Sequence, residues 1–421
     1  MKKIGLALCF LLFAETQAGE DPFAFDLSDT LSNEEASSPV KTRFSNSVEM
    51  KLRKFTRRSG FLSSLLRLNS SLLLDTGGAS LYVSGMLDYD EAAYRYDKRL
   101  RASLYELCGK FSGSEYGISG LQISAGKMRL SWGVNDGKST IDVLNATYFR
   151  DPMANGRTVQ KWPSWLLRGE QATDIGNIEA VLLPFGKDRK MPKHNSPWEP
   201  DSIHDLREAD RRGLISFIEH PNPKKPEWGV RYIRYMTGGD AGFSWYSGFT
   251  DFPALKKTGV SSVLMEPVRQ RTVSINGAMT AGGSSFRAEI SFTAQAPVYD
   301  DRGDLYYSDL TQTIAGFDRN LDGGIYLNGQ LFYDRYRSSG DDYGLTFALS
   351  QKYFNDALTV GINALYGYRN EHSAEVFAEY EVTDSLKANI RGYRIGGGTD
   401  GGIYRSYDRN DYLELGFKYY L

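Results

Sequence analysis

The sequence predicts an all-β chain, a transmembrane antiparallel β-barrel of 18 strands with 16 as the alternative. Three observations predict it. First, strand-length segments alternate apolar and polar residues with period two, as in Phe286, Ala288, Ile290 and Phe292 against Arg287, Glu289, Ser291 and Thr293. Second, after Phe13 there is no long uncharged apolar run, and mean hydropathy is −0.42, so bilayer-spanning helices are not expected. Third, the closing segment 412–421 places Leu413, Leu415, Phe417, Tyr419 and Leu421 on one face, an apolar surface suited to lipid. In lipid, only helices and closed barrels satisfy every backbone donor and acceptor.

The chain has 421 residues, with Lys+Arg 50 against Asp+Glu 52. That near-neutral balance gives no reason to expect a nucleic-acid partner. Residues 1–18 read as a secretory signal: basic Lys2 and Lys3, the apolar run 4–13, and Thr16-Gln17-Ala18 as a cleavage site. Residues 19–42 are acidic, Ser-rich and aperiodic, and read as a flexible leader to a barrel domain 43–421. Cys9 falls in the signal, so Cys108 stands alone and offers neither an internal disulfide nor a metal cluster. No cofactor is expected.

A first strand starts at Arg43, with Phe44, Val48, Met50 and Leu52 on one face. Segments 62–74, 81–89, 99–111 and 120–133 continue the pattern, and Asp75-Thr76-Gly77-Gly78 is a tight turn. Two irregular stretches follow, 134–173 and 186–227. A well-patterned strand at 175–185 lies between them, and a short strand-like segment 214–220 lies inside the second. From Trp228 the strands are regular: 228–236, 243–252, 272–280, 286–295, 311–319, 325–335, 343–351, 358–366, 375–382, 386–394 and the last. Their lengths approach the ~9–11 residues that a tilted strand needs to cross a bilayer. Strands of water-soluble sheets are shorter, at about 5–6 residues.

Barrel hairpins alternate short turns on one side with longer loops on the other. Counting back from 421, the short connections are 383–385, 353–356, 320–324, 281–285 and 237–242. The longer ones are 396–410, 369–374, 337–342, 296–310 and 253–270. Segments 175–185 and 214–220 must then both cross or both stay out. Both crossing gives 18 strands and neither gives 16. The clean alternation at 175–185 favours 18, at the cost of a long connection, 186–213, on the short side.

The terminal Glu414, Gly416, Tyr419 and Leu421 resemble the C-terminal signal of Gram-negative outer-membrane β-barrels, with Leu421 where Phe is usual. That resemblance implies the barrel-assembly machinery and outer-membrane lipid as partners. Four further segments together resemble a family of proteobacterial porin-like barrels known mostly as a domain of unknown function. They are Gly126-Lys127 with Ser131-Trp132-Gly133 and then Asp142 and Asn145; Glu227-Trp228-Gly229-Val230-Arg231; Phe286-Arg287-Ala288-Glu289; and Gly316-Phe317-Asp318-Arg319. The Pro usual after that Asn is Ala146 here. The resemblance spans roughly 120–335. It implies an outer-membrane barrel with a transport-like role and names no solute; the barrel is expected as a monomer or as a homo-oligomer, a trimer.

Long loops after barrel strands fold inward in many pores. Segment 134–173 carries Arg150, Arg157, Lys161 and Arg168 against Asp136, Asp142 and Asp151. Opposed charges at a constriction would select solutes by size and charge; ordinary solvated loops carry such charges too. Trp132, Trp162 and Trp165 suit either ring stacking or anchoring at the membrane interface. By strand alternation Arg53, Arg287, Glu289, Lys387 and Arg391 face the lumen. Asp318 to Gly323 opens like a calcium loop, but position twelve is Gly329 where a Glu is needed. His194, His204, His220 and His372 fall in irregular or turn segments without a nucleophile motif, so no enzyme is expected. The expected role is passive passage of small solutes. The alternatives are a sheath or transporter barrel for a partner protein or hydrophobic ligand, and, behind it, a barrel hydrolase.

Overall fold

The computed structural model describes residues 40–135, 137–153, 161–300, 303–368, 370–398 and 403–421. The expected signal and all but the last three residues of the expected leader lie outside these residues. The wall consists of β1 (Lys41–Phe55), β2 (Phe61–Asp75), β3 (Ala79–Asp90), β4 (Leu100–Ser112), β5 (Leu121–Met128), β6 (Ser164–Thr173), β7 (Gly176–Leu183), β8 (Glu227–Met236) and β9 (Gly239–Phe249). It continues through β10 (Arg269–Ala281), β11 (Ser284–Tyr299), β12 (Leu305–Leu321), β13 (Ile325–Tyr336), β14 (Gly340–Tyr353), β15 (Leu358–Gly367), β16 (His372–Thr383), β17 (Leu386–Gly396) and β18 (Tyr412–Tyr420).

Each strand pairs antiparallel with its chain neighbours, and β18 closes on β1 from Ser47 opposite Tyr420 to Phe55 opposite Tyr412. Closure leaves no strand edge, so the ladder satisfies the backbone without water. The alternation sets the two faces. On β11, Phe286, Ile290 and Phe292 are 45%, 50% and 46% exposed, whereas Glu289, Ser291 and Thr293 are 0%, 1% and 4%. Apolar residues face out and polar ones face in, the reverse of a water-soluble protein and the pattern of a wall that meets lipid.

The count of 18 expected from the sequence is the count observed, but one strand differs. Segment 214–220 does not cross. Its Ser216–Glu219 pairs parallel with Ser262–Glu266, which pairs antiparallel with Ala254–Gly259, in a small sheet outside the wall. The missing crossing is β6, inside the stretch read as irregular, and it forms a two-residue hairpin with β7. Its alternation is masked at the start by the apolar run Trp165-Leu166-Leu167, of which Trp165 and Leu167 point out while Leu166 is buried inside, ahead of Arg168 and Glu170 on the inner face. The expected long connection 186–213 on the short side therefore does not exist. The connections 129–163, 184–226, 250–268 and 397–411 all lie at one end of the barrel, and at the other no connection exceeds the eight residues 113–120.

β5 ends at Met128, earlier than the expected 133, and Trp132 leaves the wall. Gly126 (φ 143°) marks this departure. A Cβ there would run into the Leu107 carbonyl and the Cys108 Cα of β4, so only glycine lets β5 pair this closely. The 184–226 connection carries helix α1 (Asp201–Arg211), entered through Pro200 and anchored by Ile203, 1% exposed.

Candidate functional site

The 129–163 connection is held by inward-facing side chains of the wall. The Glu289 carboxylate of β11 accepts the backbone N–H groups of Val134 (2.9 Å), Asn135 (3.2 Å) and Thr140 (2.7 Å) and the Ser139 hydroxyl (2.8 Å). Gln330 of β13 accepts the Lys138 N–H at 3.0 Å, and Asp334 takes its ammonium at 2.9 Å. A carboxylate buried to 0% exposure is costly unless several donors converge on it, and here they do.

Beside these anchors the connection packs an apolar face. Trp132, Ile141 and Leu144, all at most 1% exposed, join Met128, Leu166, Val181, Leu183, Tyr246 and Cys108 in one cluster. The four sequence segments that carried the porin-like resemblance meet here. Gly229 leaves room for the Trp132 ring, which a Cβ would strike at 2.6 Å. Glu227 accepts the Lys187 N–H (2.9 Å), the Phe249 N–H (3.2 Å) and the Tyr246 hydroxyl. Asn135 lies against Gly316, and Arg287 pairs with Asp318 at 2.5 Å. That pair also removes Asp318 from any calcium loop, since its carboxylate is committed inside the wall.

Buried charges tie the connections together. Lys187 donates to the carbonyls of Phe249 (2.8 Å) and Val143 (3.1 Å), and burial pushes its ammonium down to about 8 although Glu227 opposes the shift. Asp251 accepts the Thr147 hydroxyl at 2.7 Å. Burial would raise its carboxyl, but Lys161 and Lys187 more than offset that and hold it below the usual range.

Two cavities border the connection. The larger, about 420 Å³, runs along β1, β2 and β15–β18. It is lined by Lys51, Arg53, Arg67, Arg129, Lys161, Lys387, Arg391 and Lys418 against Glu49, Asp151, Asp356, Glu379, Glu381 and Glu414, eight basic groups to six acidic. The smaller, about 370 Å³, has Arg101, Lys127, Arg150 and Lys190 against Asp88. Tyr148 and Trp162 line both, their rings stacked at 5.0 Å.

The candidate residues separate accordingly. Arg150 lines the smaller cavity, 3.6 Å from Asp97. Lys161 and Asp151 line the larger. Lys161 also donates to the carbonyls of Asp142 (3.1 Å) and Asn145 (3.2 Å), so it braces the connection as well. Asp151 pairs with Arg53 at 2.6 Å, and Arg53 with Glu414 at 2.6 Å. Asp142 is buried. Arg168 is not a loop residue: it lies on β6 and pairs within the wall with Glu170 (2.6 Å) and Glu179 (2.9 Å). Asp136 and Arg157 lie outside the described residues. Arg53, Arg287, Glu289, Lys387 and Arg391 sit on the inner face of the wall. Glu414 and Gly416 face in, while Tyr419 is exposed outside at the closing seam and Leu421 follows it. Trp132 and Trp162 are buried inside and Trp165 is on the outer face.

Arg67 and Lys51 also line the larger cavity, both from the inward register of their strands. Glu49, in that same register, stands opposite Arg67. Tyr148 and Lys190 carry no local signal, because loop packing alone brings them to the cavities.

No family model matches the chain, and no curated protein matches it. Solved structures do. The Pseudomonas aeruginosa protein OccK11 (OpdR) matches with a TM-score of 0.52 and 9% identity over 90% of this chain and 96% of that one. OccK5 (OpdH) of the same organism matches with a TM-score of 0.51 and 9% identity over 90% and 98%. At such identity the likeness concerns the barrel fold.

Proposed function

We propose that this protein is an outer-membrane channel of the porin kind, and that it passes small solutes with a preference for anions. The 129–163 connection acts as the constriction: it fills the side of the lumen near β5–β9, β11 and β13 and leaves a path along β1, β2 and β15–β18. The observation that carries this reading is the charge on both cavities beside the connection, with basic groups in excess in each. In a narrow, low-dielectric passage even a small excess of fixed charge raises the local concentration of the opposite ion. The outward apolar face supports placement in lipid, and the likeness of fold to OccK11 (OpdR) and OccK5 (OpdH) supports the barrel that the channel needs. Export by the 1–18 signal, assembly through Glu414, Gly416, Tyr419 and Leu421, and homo-oligomers belong to the same reading.

The test is single-channel recording of the refolded protein in a planar bilayer, with the reversal potential under a potassium chloride gradient. Discrete conductance steps with a reversal potential on the chloride side are expected. A cation-selective pore would refute the charge argument. A folded but silent barrel would refute the open channel and favour a plugged transporter.

A further inference from the structure

Outside the lumen, the 184–226 connection brings together His194, Glu199 and His204, spaced five residues apart. One ligand atom from each lies within 4.8 Å of the others. Local geometry causes the meeting. Asn195 takes a left-handed φ of 64°, which curls the chain so that its own N–H reaches Glu199 Oε2 at 2.7 Å. Pro200 then starts α1, and the buried Ile203 fixes the turn that presents His204.

His194 Nδ1 lies 3.2 Å from Glu199 Oε1, and His204 Nδ1 lies 3.0 Å from Glu199 Oε2. With metal–ligand bonds of about 2.0–2.2 Å, a tetrahedral site has ligand–ligand edges of about 3.3–3.6 Å. The group is therefore near-sized for such a site. His194 Nε2 also faces a carboxylate, Glu208 Oε1, at 2.9 Å. A neutral imidazole has one N–H and one lone pair. Giving the N–H to Glu208 leaves the Nδ1 lone pair aimed at a carboxylate, an arrangement that a cation between them relieves. A histidine oriented by a second carboxylate behind it is the usual support of a metal-binding imidazole. Arg207 donates to Glu199 Oε1 at 2.6 Å and the Asn195 N–H to Oε2 at 2.7 Å, so these two donors orient the carboxylate between the imidazoles.

We propose that His194, Glu199 and His204 form a binding site for a divalent transition-metal ion of the zinc class, with Glu208 as the residue that positions His194. Two imidazoles and one carboxylate suit zinc better than calcium or magnesium, which prefer all-oxygen sets. His194 and His204 are 27% and 41% exposed at the side chain, so a fourth position is open to water. A bound ion would join the 194–199 turn to α1.

The experiment is calorimetric titration of zinc chloride into the untagged, full-length barrel in detergent after chelator treatment. One equivalent should bind to the wild type. His204→Ala should abolish binding, and Glu208→Gln should weaken it roughly ten- to hundredfold. Heat-modifiable gel migration reports the barrel in each variant. Zinc binding unchanged by His204→Ala, or absent in the wild type, overturns the proposal. Cobalt(II) added to the wild type provides a measurement free of any variant. Intense visible absorption of a tetrahedral site is expected, and its absence also overturns the proposal.

Discussion

The Glu289 carboxylate of β11 accepts the Thr140 backbone N–H at 2.7 Å, across 149 residues of chain. With Val134, Asn135 and Ser139 on the same carboxylate, Glu289 makes more of the anchoring bonds to this part of the connection than Gln330 or Asp334. It does so at no cost in unpaired charge, since the donors replace the water that burial removed.

Replacing that carboxylate should loosen the connection without opening the wall. Hydrogen bonds to a charged group contribute about 1.5–3 kcal/mol each and are not additive, so Glu289→Gln should cost on the order of 2–4 kcal/mol of local stability. The expected readouts are faster protease cleavage within 129–153 and a noisier, larger conductance. A quiet channel of wild-type conductance with a resistant connection would remove Glu289 from this role.

Arg150 and Lys190 share the smaller cavity, where Asp88 is the only acidic lining group among the described residues. Arg150→Glu with Lys190→Glu reverses two charges there and should move the reversal potential toward cations. Arg168→Gln, changed in the wall where Glu170 and Glu179 hold the arginine, should leave selectivity close to wild type. Equal shifts in the two proteins would argue for a diffuse field and against a local constriction.

Lys187 gives a pH dependence of definite sign. Burial lowers its ammonium from 10.5 to about 8, so the unfolded chain holds the extra proton between those values. Stability rises with pH wherever the unfolded state binds more protons. The wild type should therefore gain in melting temperature on Lys187→Met as pH rises from about 8 to 10.5. Parallel melting curves over that interval would show that burial does not lower the Lys187 ammonium in the folded barrel.

The closing seam predicts an assembly defect. Tyr419 and Tyr420 pair with Val48 and Ser47 of β1, and Leu421 donates its N–H to Asn46 at 3.0 Å. Deleting residues 419–421 exposes β1 as an edge and should abolish the heat-modifiable band in outer-membrane fractions. Normal accumulation of that band would show that neither the seam nor a terminal signal needs these residues.

The sequence by itself determined the wall. The alternation of Phe286 through Thr293, repeated along the chain, fixes which side chains meet lipid, because a strand's period of two leaves no other choice. It therefore placed Arg53, Arg287, Glu289, Lys387 and Arg391 inside, and parity then required an even count. Only the tertiary structure decided which segment supplied the last crossing. β6 keeps Leu166 inside, against Trp132 and its neighbours, so an apolar residue interrupts the polar inner register of Ser164, Arg168 and Glu170. Tertiary contacts also decided that Arg168 is a wall residue, that Glu289 clamps the connection, and that His194, Glu199 and His204 meet. These depend on loops whose paths are set by distant partners, and no local periodicity records a partner on the far side of a barrel.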